Sequence, residues 1–255
     1  MDPCMPPSND LPDDRSTATL PKAVRLAWGI EEPGTRGPRK GLSLERVVDA
    51  AIEVADAEGL AGLSMSRVAK QLGFTTMSLY RYVDSKDDLV ELMADRAIGQ
   101  PSGLVVSGGW RDRLESWALG EYRAVRAHAW WPEVTISAPP TGPNNLAWLE
   151  AGLQSLADTG LSEDRKLQVV LNVSLFVIGR ARFALDLERS AKAEQVDYAR
   201  LLPLLLDEKR FPALRAAIEG GAFDAGDEDD AHWLEHDFRF GLDRMLDGIE
   251  RLTGG

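Results

Sequence analysis

The sequence predicts an all-α protein in two parts, an N-terminal helix-turn-helix head followed by a larger helical body. Apolar residues recur every three to four positions over most of the chain, and we find no convincing strand pattern and no internal repeat. Between Leu63 and Lys86, two short helical patterns are separated by a glycine, which is typical of a helix-turn-helix. We expect a flexible leader with a basic arm over 1–40, the head over 41–100 and the helical body over 104–255.

The composition indicates a globular intracellular protein. Of the 255 residues, 44% are hydrophobic, which is ordinary for a folded chain. Cys4 is the only cysteine, so no intrachain disulfide can form, and this fits a reducing cytoplasm. The N-terminus is acidic without an apolar core, unlike a secretory signal. The longest nearly apolar run, 169–179, is too short to span a bilayer. We therefore expect a cytoplasmic protein.

Four helices are predicted in the head. Each begins at a residue whose hydroxyl can cap a helix N-terminus: Ser43, Ser64, Thr75 and Ser85. Gly59 ends the first helix, and Gly73 supplies the left-handed residue that ends the second. Leu79 and Val83, four residues apart, form the inner stripe of the third helix.

The outer face of the third helix indicates DNA binding. It carries aromatic, hydroxyl and basic side chains, which suit a DNA major groove: Thr76, Met77, Tyr80, Arg81 and Tyr82. The alternative is an ordinary helical hairpin with a solvated outer face. That alternative would not explain two tyrosines and a methionine facing water.

The charge distribution agrees with this interpretation although the net charge is −12. From Ser66 to Lys86 there are four basic residues and one acidic residue, whereas 101–255 holds 17 basic and 25 acidic residues. A basic tip on an acidic body would orient the tip toward phosphate. The basic arm, Arg36, Arg39 and Lys40, could follow phosphates or enter a minor groove, or it could be a solvated linker.

Residues 43–96 resemble the DNA-binding head of the tetracycline-repressor (TetR) family of bacterial transcription regulators. The resemblance rests on "EGL" at Glu58-Gly59-Leu60, then "LSMSRVAKQLGF" and "TTMSLYRYVDSKDDL". It implies that Thr75 to Tyr82 is the recognition helix, that Tyr80 and Lys86 hold phosphates, and that other residues touch bases or backbone. The full predicted DNA-binding set is Arg36, Arg39, Lys40, Ser66, Thr75, Thr76, Met77, Tyr80, Arg81, Tyr82 and Lys86.

The body resembles, more loosely, the C-terminal domain of the same family, which implies small-ligand binding and dimerisation. Together these resemblances imply a homodimeric repressor that binds a palindromic operator and is released by a small molecule. A DNA-binding scaffold without an effector is a further possibility. No cofactor is expected.

Candidate ligand residues lie on the helices of the body. Asn172 and Arg180 are polar residues in or beside the apolar middle of the longest helix, and a buried polar group needs a partner. That partner could be a ligand or an intrachain hydrogen bond. The tryptophans are core residues by default, but several could surround a cavity. The candidate set is Trp117, Trp131, Trp148, Asn172, Phe176 and Arg180.

Candidate dimer residues lie on the last helix. Its long apolar stripe comprises Leu234, Phe238, Leu242, Met245 and Ile249. Because the long helix that starts near Ser162 is apolar on nearly every side, it should be covered on more than one face. One copy of each helix cannot cover both surfaces if the long helix also lines a cavity, so we expect a twofold four-helix interface.

A second function class comes from His232, Glu235 and His236, which match the H-x-x-E-H pattern of zinc peptidases. Two histidines four apart on a helix can bind zinc, with the glutamate as general base. Only 19 residues follow His236, which leaves little room for a downstream ligand. The same stretch also carries the stripe of a packing helix, so the hydrolase is the lesser alternative and no metal is expected.

Overall fold

The computed structural model describes residues 20–30, 41–135, 140–191, 198–207, 209–222 and 230–254. All regular elements in these ranges are helices, and no strand occurs among them, which confirms the predicted all-α class. The α-helices are α1 (Lys22–Ala27), α2 (Leu44–Gly62), α3 (Met65–Leu72), α4 (Thr76–Leu79), α5 (Lys86–Ile98), α6 (Trp110–Arg126), α7 (Pro143–Ser155), α8 (Glu163–Ala191), α9 (Tyr198–Leu205), α10 (Pro212–Glu219) and α11 (Asp230–Thr253), with a 3₁₀ turn at Trp131–Glu133.

The chain divides into two compact units. The N-terminal unit contains the described residues up to Gly103 together with Ala127–Ala151. The C-terminal unit contains Leu104–Arg126 and the described residues from Gly152 onward. The segment 127–151, which the sequence analysis assigned to the body, therefore groups with the head.

Serine side chains cap three helices of the head. The Oγ atoms of Ser43, Ser64 and Ser85 accept hydrogen bonds from the third backbone N–H after each of them, at 3.0 to 3.3 Å. Thr75 occupies the corresponding position before α4, but its hydroxyl lies 3.0 Å from Ser78 Oγ and makes no cap bond. The sequence prediction is confirmed for the three serines and wrong for the threonine.

Two glycines with positive φ end the first two helices of the head. Gly73 ends α3 with φ +73°, ψ +28°, the left-handed conformation that the sequence predicted. Gly59 has φ +73°, ψ +169° inside α2, so the regular part of that helix ends there as expected. The enclosed core consists of fully buried apolar side chains from α2, α3, α4, α5 and the turn after α4: Val47, Ala51, Val54, Val68, Leu79, Val83, Leu89 and Met93.

Part of the predicted leader is a helix. Ala23 and Leu26 of α1 are buried, and α1 packs on α5. The Lys22 ammonium pairs with Asp84, and the Trp28 indole N–H donates to the Thr141 carbonyl at 2.8 Å. The expectation of a flexible leader is thus wrong for Lys22–Ala27, because tertiary contacts stabilise a helix too short to persist alone. The arm residues Arg36, Arg39 and Lys40 lie outside the described residues.

Asp95, a buried carboxylate of α5, holds the start of α7 within the N-terminal unit. Its Oδ1 accepts from the backbone N–H and the side-chain amide of Asn145, both at 2.9 Å, and its Oδ2 accepts from the Asn144 amide at 3.1 Å. These donors include the free N–H groups of a helix N-terminus, where a carboxylate is favourable. A Cβ at Gly142 would overlap the Asp95 side chain, so the close approach of this backbone to Asp95 requires glycine at position 142.

The C-terminal unit is built on α6, α8 and α11. Phe238 of α11 is completely buried and stacks on Tyr122 of α6 at a centroid distance of 4.1 Å. The Phe176 ring of α8 stacks on the same Phe238 ring at a centroid distance of 5.6 Å. The three rings therefore join the three long helices in one core.

The long helix α8 also meets a simple length-and-composition test for a membrane span over Glu163–Ser190, which the run 169–179 alone did not suggest. A core helix passes the same test, and α8 supplies the fully buried Val173, Val177 and Ala181 to the interior of the C-terminal unit. The test therefore gives little weight to a membrane role.

Candidate nucleic-acid interface and ligand-binding unit

The segment predicted as the recognition helix is a short helix followed by a tight turn. Regular helix ends at Leu79, and Tyr80 keeps helical dihedral angles. The Leu79 carbonyl then accepts from the N–H groups of both Tyr82 and Val83, at 2.8 and 3.2 Å. The helix is thus shorter than the predicted Thr75–Tyr82. Leu79 and Val83 are both fully buried, so the predicted inner stripe is correct.

The outer face of this segment is unusually apolar for a solvated surface. Met77 is 73% exposed and Tyr80 is 43% exposed. Thr75 and Arg81 are exposed beside them, and Thr76 is half-buried. Because the backbone is held from behind by Leu79 and Val83, these outer side chains are presented on a fixed support.

The side chains of Tyr82 and Ser66 differ in whether they are available for a contact with DNA. The Tyr82 hydroxyl donates to the Leu42 carbonyl at 2.9 Å, which ties the recognition turn to the start of the head. A structural role therefore accounts for Tyr82, which the sequence analysis placed among the DNA-binding residues. Ser66 is exposed in the first turn of α3, with its Oγ 3.1 Å from Ser64 Oγ.

Two ion pairs shape the charge of this surface. The Arg67 guanidinium binds Glu58 at 2.7 Å, so its charge is largely offset. Asp84 is offset in the same way by Lys22 at 2.6 Å. Lys86 is exposed as the first residue of α5, where backbone N–H groups also favour an anion.

The predicted ligand residues fall into two groups that lie in different units. Trp131 and Trp148 belong to the N-terminal unit, where their indole N–H groups donate to the carbonyls of Ala94 and Gly99 at 2.8 and 2.9 Å. Both are buried and bonded to the end of α5. Their contacts are those of core residues, which was the default interpretation of the tryptophans.

The remaining four predicted ligand residues lie in the C-terminal unit. Asn172 is exposed, and its amide donates to the Gln168 carbonyl on its own helix at 2.7 Å. The expectation of a buried Asn172 is wrong, since an apolar surrounding sequence does not imply burial of every face. Trp117 is buried on α6.

Arg180 and Phe176 have partners within the chain. The Arg180 guanidinium forms an ion pair with Asp237 and lies 5.5 Å from the centre of the Phe183 ring. Phe176 packs so closely on α11 that a Cβ at Gly241 would lie 2.6 Å from its ring. An intrachain contact, the alternative considered for Arg180, is the one observed.

Glu121 is a polar residue of this unit that the sequence analysis missed. Its side chain is buried in the middle of α6, and its Oε1 accepts from Ser174 Oγ at 2.7 Å. Burial raises the pKa of Glu121 to about 7, and the hydrogen bond from Ser174 opposes this rise in part. A usable signal was present, because Glu121 falls on the apolar stripe of α6 with Leu114, Trp117 and Val125.

The predicted dimer residues of α11 largely face the interior of their own chain. Leu234, Phe238, Leu242 and Ile249 are all buried, and Met245 is half-buried. Side chains enclosed in this way leave little surface for a partner. The apolar stripe was recognised correctly, but the three-helix core of the C-terminal unit already covers it.

Two other apolar stripes remain exposed in the C-terminal unit. On α8, residues at four-residue spacing face outward: Leu167, Leu171, Leu175, Gly179, Phe183 and Leu187. On α11, Phe240 and Leu252 are exposed with Arg244 between them, and the Arg244 guanidinium lies over the Phe240 ring. We call these two stripes the outer face. The predicted second covering of α8 would have to lie on this side.

The zinc alternative gains no support from the geometry. Glu235 accepts hydrogen bonds from Arg239 at 3.0 and 3.2 Å, and the side chain of His232 lies outside the described residues. Within the described part of the chain, no group of three or more His, Cys, Asp or Glu residues could hold a metal.

A helix-turn-helix head followed by a helical unit is typical of DNA-binding transcription regulators. The sequence matches the family described as "Bacterial regulatory proteins, tetR family" over residues 47–93. It matches "Tetracyclin repressor-like, C-terminal domain" over residues 102–253. The chain belongs to the TetR family. It is a transcription regulator and not an enzyme, and the zinc hydrolase is set aside.

Individual relatives agree with this assignment over most of the chain. The HTH-type transcriptional repressor DrrR1 of Streptomyces coeruleorubidus is 36% identical over 244 residues, covering 92% of this chain and 87% of that protein. The tetracycline repressor protein class D of Escherichia coli is 26% identical over 220 residues, covering 84% and 95%. The Streptomyces coelicolor TetR family protein ActR in complex with actinorhodin superposes with a TM-score of 0.67 and 25% identity, covering 86% and 100%.

Proposed function

We propose that this protein is a cytoplasmic homodimeric repressor that binds a palindromic operator and leaves it when a small molecule binds the C-terminal unit. The observation that carries the DNA-binding part is the exposure of Met77 and Tyr80, at 73% and 43%, on a turn anchored by buried Leu79. A rigidly supported apolar and aromatic surface beside exposed cations suits a groove of DNA better than water.

The side chains proposed to contact DNA between Met77 and Lys86 have two roles. Tyr80 and Lys86 would donate to phosphates, which set the position of the head without reading sequence. Arg81 would read guanine through its two parallel N–H donors, and Met77 would contact a thymine methyl. The arm residues Arg36, Arg39 and Lys40 would add phosphate or minor-groove contacts.

The outer face supports the dimer. Leu175 is 61% exposed and Phe240 is 59% exposed, and large apolar side chains exposed on both α8 and α11 favour a covered surface. Two copies joined through α8 and α11 would cover both stripes about a twofold axis. The same axis would present two heads to one face of DNA, with half-sites about 34–36 Å apart.

Release by a ligand follows from this geometry together with the relatives. ActR has been crystallised in complex with actinorhodin, and the class D protein is named as a tetracycline repressor. In this chain a ligand within the C-terminal unit would displace α6 or α8 and so change the separation of the two heads. A coupling free energy of about 1–3 kcal/mol would be enough to lower operator affinity substantially.

A selection experiment tests the proposal. Purified protein is used to enrich random DNA duplexes, and the expected result is a palindromic consensus with two half-sites. Met77→Glu should abolish enrichment, since it places a charge where an apolar contact is expected. The matched control is Val106→Glu, at an exposed valine of the C-terminal unit, which should return the wild-type consensus. Recovery of no consensus with the wild-type protein would contradict the proposal.

A further inference from the structure

The buried carboxylate of Glu121 has one oxygen without a partner. Its Oε1 accepts from Ser174 Oγ at 2.7 Å, while its Oε2 is enclosed and has no hydrogen-bond partner among the described residues. A buried polar atom without a partner is costly, so native proteins rarely leave one unexplained.

When it is ionised, the Glu121 carboxylate also has no cation beside it. The basic residues around the core of the C-terminal unit are paired with other acids: Arg111 with Asp247, Arg113 with Asp158, Arg126 with Glu188, Lys166 with Glu163 and Arg180 with Asp237. Within the described part of the chain, no lysine or arginine forms an ion pair with Glu121. A buried anion without a cation is strongly disfavoured.

The position four residues earlier carries an aromatic ring. Trp117 is buried on the same face of α6, and residues four apart on a helix are neighbours. Indole is the aromatic side chain that attracts cations most strongly. Trp117 and Glu121 therefore place an aromatic ring next to a carboxylate, and this combination is the chemistry that holds a protonated amine.

We propose that Glu121, beside Trp117, is the anchor for a protonated amine on the small molecule that this repressor senses. The inference rests on the proposed function and adds the chemical class of the effector. An amine N–H would donate to Oε2, and its charge would offset that of the carboxylate. A neutral hydroxyl could donate to Oε2 but would not offset the charge of the ionised carboxylate, and a carbonyl oxygen could accept a hydrogen bond only while the carboxyl group is protonated.

A matched pair of probes tests this inference. Naphthylethylamine and naphthylethanol share one aromatic body and differ in the group that meets Glu121, and their affinities are measured by calorimetry. Wild-type protein should bind the amine about tenfold or more tightly than the alcohol, as expected for a charge-assisted hydrogen bond. Glu121→Gln should lose the preference for the amine, because the amide keeps the shape and removes the charge.

Glu115→Gln is the control, since Glu115 lies on the same helix in an ion pair with Arg239. It should retain the amine preference. Glu121→Met, which removes the carboxyl group and keeps the chain length, is a second variant should the glutamine form fail to fold. Absence of an amine preference in wild-type protein, or its persistence in both Glu121 variants, would overturn the inference.

Gel-shift assays on the operator separate this inference from the proposed function. Glu121→Gln should still bind the operator, because Glu121 belongs to the C-terminal unit and not to the head. Lack of operator binding by wild-type protein would defeat the proposed repressor without bearing on the amine preference. If the proposed function and this inference are both correct, Glu121→Gln should lose the amine preference and keep operator binding.

Discussion

The Lys22 ammonium lies 2.6 Å from the Asp84 carboxylate, and this ion pair joins α1 to the turn that follows the recognition segment. Asp84 is the only acidic residue between Ser66 and Lys86, the stretch proposed to face DNA. The pair therefore offsets the one negative charge within a stretch that is proposed to approach phosphates. A helix in the predicted leader thereby contributes to the charge of the head.

The first prediction follows from this pair. Lys22→Ala should weaken operator binding several-fold at low salt, because the Asp84 charge then repels phosphate. The loss should shrink as salt is added, since screening shortens the range of the repulsion. Fluorescence anisotropy over a salt series measures both effects. The double variant Lys22→Ala/Asp84→Asn should recover wild-type affinity, and failure to recover it would assign another role to Lys22.

Local chemistry made the head predictable, and long-range contacts made α1 unpredictable. Ser43, Ser64 and Ser85 each cap a helix three residues from the N–H that they bind, so the sequence contains both partners. α1 has six residues and no side-chain cap, and its stability comes from Ala23 and Leu26 packing on a helix more than 60 residues away. The apolar residues of this segment are visible in the sequence, but the helix on which they pack is not.

The second prediction concerns affinity. Lys86→Ala should weaken binding to all DNA sequences alike, because a phosphate contact carries no sequence information. It should also reduce the slope of log affinity against log salt by about one. Lys209→Ala, at an exposed lysine of the C-terminal unit, is the matched control and should leave affinity and slope unchanged. Equal salt slopes for Lys86→Ala and wild type would remove Lys86 from the interface.

The third prediction concerns specificity. Arg81→Ala should cost about 1–3 kcal/mol on the preferred operator and relax selection at one symmetric pair of positions. Binding to unrelated DNA should change much less. Parallel selections with wild-type and variant protein measure the two consensus sequences. If both proteins return the same consensus, Arg81 does not read a base.

The fourth prediction is a pH dependence of stability that arises from Glu121. Its pKa is about 7 in the folded protein and near 4.5 in the unfolded chain, so the folded state binds more protons between these values. Its contribution to the free energy of unfolding is therefore fully present below pH 4.5 and is lost as the pH rises through about 7. The total loss is of the order of 3 kcal/mol.

Urea denaturation across this pH range, compared between wild type and Glu121→Gln, isolates the contribution of Glu121. The difference in unfolding free energy between the two proteins should change with pH in the direction given above. Glu115→Gln should show no such difference from wild type. A pH-independent difference for Glu121→Gln would mean that the carboxyl group of Glu121 titrates normally.

The C-terminal unit shows where sequence reasoning ends. An apolar stripe such as Leu234 to Ile249 indicates a buried face, but it does not say whether the same chain or a partner buries it. The stacking of Phe238 on both Tyr122 and Phe176 shows that the chain's own core buries this face. The sequence shows Glu121 as a charged residue on an apolar stripe. It does not show that Ser174 of α8 donates to only one of the two carboxylate oxygens and leaves the other without a partner.

The fifth prediction concerns the outer face. Leu175→Asp should convert the dimer to a monomer and abolish operator binding, because it would bury an unpaired charge at the twofold interface. Since Leu175 is exposed within the chain, the fold itself should lose little stability. Val106→Asp, at an exposed valine outside the outer face, is the control and should remain dimeric. Light scattering gives the mass of each protein, and a dimeric Leu175→Asp would exclude the outer face as the interface.

Sedimentation equilibrium of wild-type protein with a duplex that contains one selected palindrome tests the central claim most directly. The free protein should sediment as a dimer at micromolar concentration, and the complex should contain two chains per duplex, with each head on one half-site. A free monomer, or a complex with one chain per duplex that binds as tightly to a single half-site, would contradict the account.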